Sequence, residues 1–120
     1  MEIDEYQERA HSFATYPMCY VQTKEDQLLN NIPWAYPALK LSGEVGEVNE
    51  KLGKIIRDKD GYVHSDSKDA IKKELGDVVW YIAELCTVLD LKLSDVLETN
   101  IAKLDDRRAR NVIGGSGDNR

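Results

Sequence analysis

Two short acidic motifs contain the residues of this sequence that are best suited to chemistry. The first reads Glu44-Val-Gly-Glu47 and the second, after 26 intervening residues, reads Glu74-Leu-Gly-Asp77. Residues three apart lie on the same side of a helix, so each motif presents a pair of carboxylates if its segment is helical. Carboxylate oxygens are the ligands that Mg²⁺ and Mn²⁺ prefer. The motifs therefore predict a metal site formed by Glu44, Glu47, Glu74 and Asp77.

A single acidic pair is weak support for a site, because glutamates are common on the solvated faces of helices. In both motifs, however, the carboxylates stand in the same relation to the neighbouring apolar residues. On a helical wheel with the first carboxylate of each motif at 0°, the second carboxylate falls at about 300°. The apolar residues occupy an arc from about 20° to about 120° in one helix and to about 140° in the other. Four carboxylates brought close together repel one another unless a cation lies between them. Packing of the two apolar stripes would create such a site.

Helices must position these motifs, and the apolar periodicity predicts four of them. The first begins near Ile3, with Asp4 and Gln7 as a capping box, and the last begins at Ser94 as its N-cap. The predicted spans are Ile3 to about Thr15, Ala38 to Arg57, a third helix through Ile71 to about Asp90, and a fourth through Leu97, Ile101 and Leu104. No strand pattern of comparable strength is found, so the sequence predicts an all-α four-helix bundle.

The segments between and after these helices are predicted to be irregular. The segment from Tyr16 to Tyr36 carries prolines and little periodicity, with a helical turn or two possible from Glu25 to Asn31. The chain ends in the Gly-rich sequence GGSGDNR, which is typical of a mobile tail unless a ligand or partner orders it. We interpret residues 1–113 as a single domain and residues 114–120 as a tail.

The bulk composition excludes several classes of function. With 120 residues, 32% of them charged, and a formal net charge of −6, the chain has no surplus of positive charge to bind a nucleic acid polymer. The N-terminus is acidic where a signal peptide would be basic and then apolar, and no apolar run has the length of a membrane span. We therefore expect no membrane association. The two widely spaced cysteines, Cys19 and Cys86, favour a reducing compartment, so we expect a cytoplasmic location.

Basic and polar residues beside the acidic faces are candidate phosphate ligands. Two lysines lie on the same helix face as the first acidic pair. Three residues of the last helix form a polar stripe, which has about the same angular relation to the apolar residues of that helix as the acidic pairs have to theirs. These candidates are Lys51, Lys54, Asn100, Lys103 and Arg107. Charge balancing along a solvated helix explains such residues as well as phosphate binding does, so both interpretations stay open. Lys103 is the first choice for a phosphate contact.

A nucleotide site also needs a flat apolar wall for the base, and four aromatic residues are candidates. They are Trp34, Tyr36, Trp80 and Tyr81. Tyr81, one turn beyond Asp77, is the first choice for contacting a base, and Trp34, just before the second helix, is the next. Packing in the core explains each of them equally well.

Histidine and cysteine patterns favour no other metal. A di-iron bundle requires Glu-x-x-His twice, whereas Glu8-Arg-Ala-His11 supplies it once and His64 lies in a predicted loop. His11 is more typical of an exposed helix residue than of a base. Cys19 and Cys86 form neither a disulfide framework nor a zinc pattern, and Cys86 lies within an apolar arc, where it is expected to pack.

With its two acidic motifs, the sequence resembles the MazG-like, all-α nucleoside triphosphate pyrophosphatase superfamily, whose signature is ExxE followed after a linker by ExxD. The similarity also covers EYQERA near the start, LLNN before the second helix, LKLSGEVGEVNEKLGKII, and KKELGDVVWYIAELCTVLDLKLSDVLETNIAKLDDR. It extends over most of the chain and is far more specific than ExxE alone.

The resemblance implies hydrolysis of a nucleoside triphosphate between its α and β phosphates, with Mg²⁺, or Mn²⁺ as a substitute. It implies that Glu44, Glu47, Glu74 and Asp77 are the metal ligands, and it aligns Asn100 and Lys103 with polar positions of the family's last helix. Either Glu47 or Glu50 would orient or deprotonate the attacking water.

The resemblance also implies a homodimer or homotetramer that associates through helix faces. Base preference is expected to depend on the segment 16–36 and on the linker 58–67, whose sequences do not identify a base. Two other functions remain open. The chain could be a non-catalytic helical dimerisation module that binds nucleotide or divalent metal as a sensor, or a purely structural bundle.

Overall fold

Four helices and one small hairpin are found in the described residues of the computed structural model. The structure describes the chain apart from residues 18, 19, 23, 24, 26, 27 and 120, and apart from the side chains of residues 20–22 and 28–31. The elements are α1 (Ile3–His11), β1 (Tyr20–Gln22), β2 (Leu28–Asn31), α2 (Ala35–Lys59), α3 (Ser65–Val88) and α4 (Leu93–Ala109). The predicted all-α fold class is confirmed. Within the described residues, no helix is long and apolar enough to cross a membrane.

The predicted capping box at the start of α1 is wrong. The N-cap is Glu2, without a side-chain cap, and Gln7 reaches across to the turn before α4 instead. The Leu93 backbone N–H donates to Gln7 Oε1 at 2.7 Å, and Gln7 Nε2 donates to the Leu91 carbonyl at 2.8 Å. These bonds satisfy backbone groups at the start of α4, which therefore begins at Leu93 after Lys92 as N-cap rather than after Ser94.

Other predicted boundaries also shift. The chain leaves α1 at His11 through tighter turn bonds, such as Phe13 N–H to the Ala10 carbonyl, and the proline after Tyr16 disfavours a longer helix. The possible helical turn from Glu25 to Asn31 is wrong, because Leu28–Asn31 pairs antiparallel with Tyr20–Gln22. Both long helices begin earlier than predicted, α2 at Ala35 and α3 at Ser65.

The central element is α3. It packs along α2, while α1 lies against its C-terminal half and α4 contacts α1 and the end of α3. Where α1, α3 and α4 meet, a small core forms from buried Ala10, Ala83, Cys86 and Leu93. The prediction that Cys86 packs in the interior is confirmed, and burial raises the pKa of its thiol.

A single chain is less compact than a typical domain of its length. Its radius of gyration is 18.5 Å, whereas a compact domain of this length has about 14 Å. Its accessible surface is 9000 Å², against about 6,600 Å² expected for a compact monomer of this mass. The predicted apolar stripe of α4 stays exposed, and so do apolar residues of α2 and α3. These exposed residues include Leu52, Ile56, Leu75, Val79, Leu97, Ile101 and Leu104.

Candidate metal and nucleotide site

Packing of α2 against α3 brings three carboxylates together. Glu44, Glu74 and Asp77 each offer an oxygen, and these atoms all lie within 4.8 Å of one another. Glu44 and Glu74 are partly buried and Asp77 is exposed, so solvent or a ligand can reach the cluster. Three carboxylate oxygens at this spacing suit a hard divalent cation that completes its shell with water or phosphate oxygens. Glu47 is exposed and lies outside this group, so three of the four predicted ligands are brought together.

Lysines lie beside the carboxylates in the direction of the C-terminal end of α2. Lys51 Nζ is 3.4 Å from Glu74 Oε1, and Lys54 Nζ is 3.0 Å from Glu50 Oε1. Both lysines line a groove of about 200 Å³ between α2 and α3, with Lys59 and Ser67 at its far side. Asp58 also lines this groove, so its three lysines leave a surplus of positive charge that a phosphate chain next to the carboxylates requires.

The two candidates for activating water differ in their surroundings. The hydrogen bond from Lys54 holds the pKa of Glu50 below its usual value. A carboxylate with a lowered pKa is a weaker proton acceptor. Glu47 is exposed and lies one turn from Glu44 on α2, nearer to the carboxylate group along the helix than Glu50 is.

Aromatic rings form a cluster at the other end of the carboxylate group. The Tyr16 ring stacks on Tyr36 with centroids 5.8 Å apart and planes 15° apart, and it meets Trp80 edge to face at 6.3 Å. Trp80 in turn meets Tyr81 edge to face at 4.8 Å. Burial raises the pKa of Tyr81, and the nearby Tyr36, Glu44 and Asp77 raise it further. Tyr81 therefore joins the aromatic cluster to the carboxylates.

The two predicted base contacts have different positions. Tyr81 lies in the aromatic cluster, next to Trp80. Trp34 precedes α2, is 49% exposed, and makes no ring contact with the other described aromatic residues. Tyr16, which belongs to the segment predicted as a loop, was not among the candidates, because no helical spacing relates it to the acidic motifs.

The polar stripe of α4 does not reach the carboxylates within one chain. Asn100 and Lys103 line a groove of about 1010 Å³ between α1 and α4, and in the described residues α4 makes no close contact with α2. The bonds of Gln7 hold the start of α4 against α1, which directs this stripe towards α1. The three-helix convergence suggested by the sequence is thus absent from a single described chain.

The C-terminal tail occupies the basic end of this stripe. Asn111 adopts a left-handed conformation with φ 57°, and the Val112 N–H bonds back to the Arg107 carbonyl at 2.9 Å, which reverses the chain after α4. Asp118 Oδ1 then lies 3.1 Å from Lys103 Nζ and 3.3 Å from Arg107 Nη2. These hydrogen bonds lower the pKa of Asp118. Lys103 and Arg107, which are both predicted phosphate ligands, are therefore already paired with a carboxylate.

A fully buried glutamate on α3 was missed by the sequence reasoning. Glu84 accepts a hydrogen bond from the Tyr16 hydroxyl at 2.8 Å, and His11 Nδ1 lies 3.1 Å from the same carboxylate oxygen. The signal was available, because Glu84 falls at about 280° on the α3 wheel, next to Asp77 and outside the apolar arc. His11 is exposed, as expected, but it ends α1 in contact with this carboxylate.

Comparisons with known proteins agree with this arrangement of helices and acidic residues. A profile of the MazG nucleotide pyrophosphohydrolase domain matches residues 37–112, which is more than half of the chain and includes both acidic motifs. This chain belongs to the MazG family. The Gene 37 protein of Mycobacterium phage L5 is 42% identical to it over 120 residues, covering 100% of both chains. No solved structure matches the chain significantly.

The match to the MazG domain covers nearly all of α2 and the whole of α3 and α4, but not α1 or Tyr16. Membership of the MazG family is thus carried by the helices that hold the carboxylates. The aromatic ring of Tyr16 and its contact with Glu84 join the matched region to the part of the chain that precedes it.

Proposed function

We propose that this MazG protein hydrolyses nucleoside triphosphates between the α and β phosphates, giving a nucleoside monophosphate and pyrophosphate. The proposed cofactor is Mg²⁺, which Mn²⁺ can replace, held by Glu44, Glu74 and Asp77. The proposed setting is the cytoplasm, where nucleoside triphosphates are present as substrates, including deoxynucleotides.

The order of chemical groups between α2 and α3 carries this proposal. Along α2 the chain passes from Tyr36 to Glu44 to Lys51, while α3 runs in the opposite direction from Glu74 to Tyr81. An aromatic wall, a carboxylate cluster and a lysine groove therefore follow one another. That order matches the base, the metal-bound phosphates and the terminal phosphates of a nucleotide. Four residues of helix, about 6 Å, separate Tyr81 from Asp77, the nearest carboxylate of the group on α3, and leave room for a sugar.

The chain's own residues supply the remaining parts of the reaction. When bound, the cation would neutralise phosphate charge and lower the pKa of an attacking water. Lys51 and Lys54 would bind the β and γ phosphates and so stabilise the charge of the leaving pyrophosphate. Glu47 would orient the water and take its proton, because Lys54 lowers the pKa of Glu50 and weakens it as a base.

Association with a second copy is part of the proposal. The exposed apolar stripe of α4 and the excess accessible surface of one chain support a homodimer or homotetramer. In such an assembly, Asn100 and Lys103 of one copy could approach the carboxylates of another, which they do not approach within one described chain.

Sedimentation equilibrium of the wild-type chain and an Ile101→Glu variant tests this association. Ile101 is 58% exposed, so its substitution removes an apolar contact from the interface without disturbing the core of one chain. We expect the wild type to have at least twice the mass of one chain and the variant to shift towards one chain mass. A monomeric wild type at micromolar concentration would contradict the proposal.

A pyrophosphate-release assay over a panel of ribonucleotides and deoxynucleotides tests the activity itself. Reactions would contain Mg²⁺, Mn²⁺ or a chelator, with Glu74→Ala as the inactive variant and Asp69→Asn as the matched control. Asp69 is an exposed acidic residue of α3 that lies away from the carboxylate cluster. Metal-dependent release by wild type and control supports the proposal. Binding of intact nucleotide without release would favour the sensor function instead.

A further inference from the structure

Glu84 is a buried carboxylate that the proposed hydrolysis does not use. The residue is 0% exposed and lies seven positions after Asp77, on the same side of α3. Burying a carboxylate costs free energy unless hydrogen bonds or opposite charges compensate for the lost hydration. The partners of Glu84 therefore indicate what this carboxylate does in the fold.

Both partners come from the N-terminal part of the chain. The Tyr16 hydroxyl donates to Glu84 Oε2 at 2.8 Å, and His11 Nδ1 is 3.1 Å from the same oxygen. Glu84 Oε1 is buried as well and has no hydrogen-bond partner among the described residues. Replacing a buried charged group and its partners by apolar residues of similar volume is often neutral or stabilising, so stability alone does not explain a glutamate at this position.

The contacts of Glu84 determine where the Tyr16 ring stands. The Trp80 indole N–H donates to the Ala10 carbonyl at 3.0 Å, which holds the end of α1 on α3. From there, the bond to Glu84 directs the Tyr16 ring onto Tyr36 and against the edge of Trp80. Burial and this hydrogen bond both raise the pKa of Tyr16. The hydroxyl therefore stays protonated and remains a donor at neutral pH.

We propose that Tyr16 forms part of the wall that contacts the base and that Glu84 is the positioning residue that sets it. The inference rests on the proposed function and extends it to residues outside the two acidic motifs. Stacking on an aromatic ring depends on the position of the ring and little on its hydroxyl. The hydroxyl of Tyr16 instead serves the bond to Glu84, so removal of either bonding group should displace the ring.

The test uses the full chain with Tyr16→Phe, Glu84→Leu and the double variant, because leucine fits a buried position and has no oxygen to accept the Tyr16 hydrogen bond. Tyr62→Phe and Glu98→Leu are the matched controls, since both residues are exposed and lie away from the aromatic cluster. Steady-state kinetics with the preferred nucleotide would be compared with calorimetric binding of magnesium tripolyphosphate, which has phosphates but no base. Melting temperatures of all variants would be measured in parallel.

We expect Tyr16→Phe and Glu84→Leu each to raise KM for the nucleotide about tenfold, the effect of losing one hydrogen bond to a charged group. We expect kcat and the affinity for magnesium tripolyphosphate to stay within about twofold, because neither residue contacts the phosphates. In the double variant, KM should equal that of either single variant, because both substitutions break the same bond.

Two results would overturn the positioning role while leaving the proposed function intact. The first is an unchanged KM in Tyr16→Phe, which removes one oxygen from a partly exposed residue and should fold. The second is a parallel loss of melting temperature and tripolyphosphate affinity, as a merely structural role predicts. Absence of pyrophosphate release by the wild type would instead overturn both proposals.

Discussion

The groove between α2 and α3 and the polar stripe of α4 share one sequence pattern, polar residues beside an apolar stripe, but they differ in their contacts in the structure. Between α2 and α3, three carboxylates lie close together with Lys51 near one of them, and Asp77 remains open to solvent. On α4, Lys103 and Arg107 are held by Asp118 of the same chain. A polar stripe beside an apolar one thus predicts a candidate site, and the tertiary contacts decide whether that site is available.

The largest expected effect follows from removing a carboxylate from the α2–α3 groove. We expect Glu74→Ala to lower kcat/KM by at least about a hundredfold, because it removes a main source of electrostatic stabilisation of the transition state. The Asp69→Asn control should retain activity, and Mg²⁺ should raise the melting temperature of the control but not of Glu74→Ala. Similar activity in both variants would show that the groove takes no part in the reaction.

A smaller effect should separate the two regions. Lys51→Ala is expected to lower kcat/KM about tenfold, since it removes one charge-assisted contact next to the carboxylates. Lys103→Ala should have less effect, because α4 makes no close contact with α2 in the described part of one chain, whereas Lys51 lies 3.4 Å from Glu74 in the carboxylate group. Kinetics of the two variants with one nucleotide measure the difference. A larger loss in Lys103→Ala would reverse the ranking of the two regions.

The smallest effect concerns the tail. Asp118→Asn weakens the pairing with Lys103 and Arg107 and makes these cations available to phosphate. Because an exposed ion pair contributes little, we expect KM to fall only about two- to fivefold. Asp105→Asn, at an exposed residue paired with Arg108, serves as a control. If KM is unchanged in Asp118→Asn, α4 takes no part in phosphate binding.

The residues that the sequence identifies and those it misses differ in the range of their contacts. The convergence of Glu44, Glu74 and Asp77 was predictable, because helical spacing and the adjacent apolar stripes together determine how α2 and α3 pack, whereas the predicted fourth member, Glu47, stays outside the group. The bond between Tyr16 and Glu84 joins residues 68 positions apart, and no local pattern relates them. Gln7 shows the same limit, since its local capping signal is overridden by bonds to Leu91 and Leu93.

The tail illustrates a related limit. Glycine-rich composition predicts mobility, and it contains no information about a partner for Asp118. The left-handed Asn111 and the positive φ of Gly117, 81°, bring that carboxylate back beside α4. Such a reversal depends on two backbone conformations and two ion pairs acting together, so the sequence alone could not show that Lys103 and Arg107 were occupied.

Hydrolysis in ¹⁸O-labelled water tests the central claim most directly, because it identifies the phosphorus atom that is attacked. With Mg²⁺ and the preferred nucleotide, mass spectrometry should find pyrophosphate without label and nucleoside monophosphate carrying one ¹⁸O. Neither product should form with a chelator or with Glu74→Ala. Formation of nucleoside diphosphate and orthophosphate, or of no product from any nucleotide of the panel, would contradict the account.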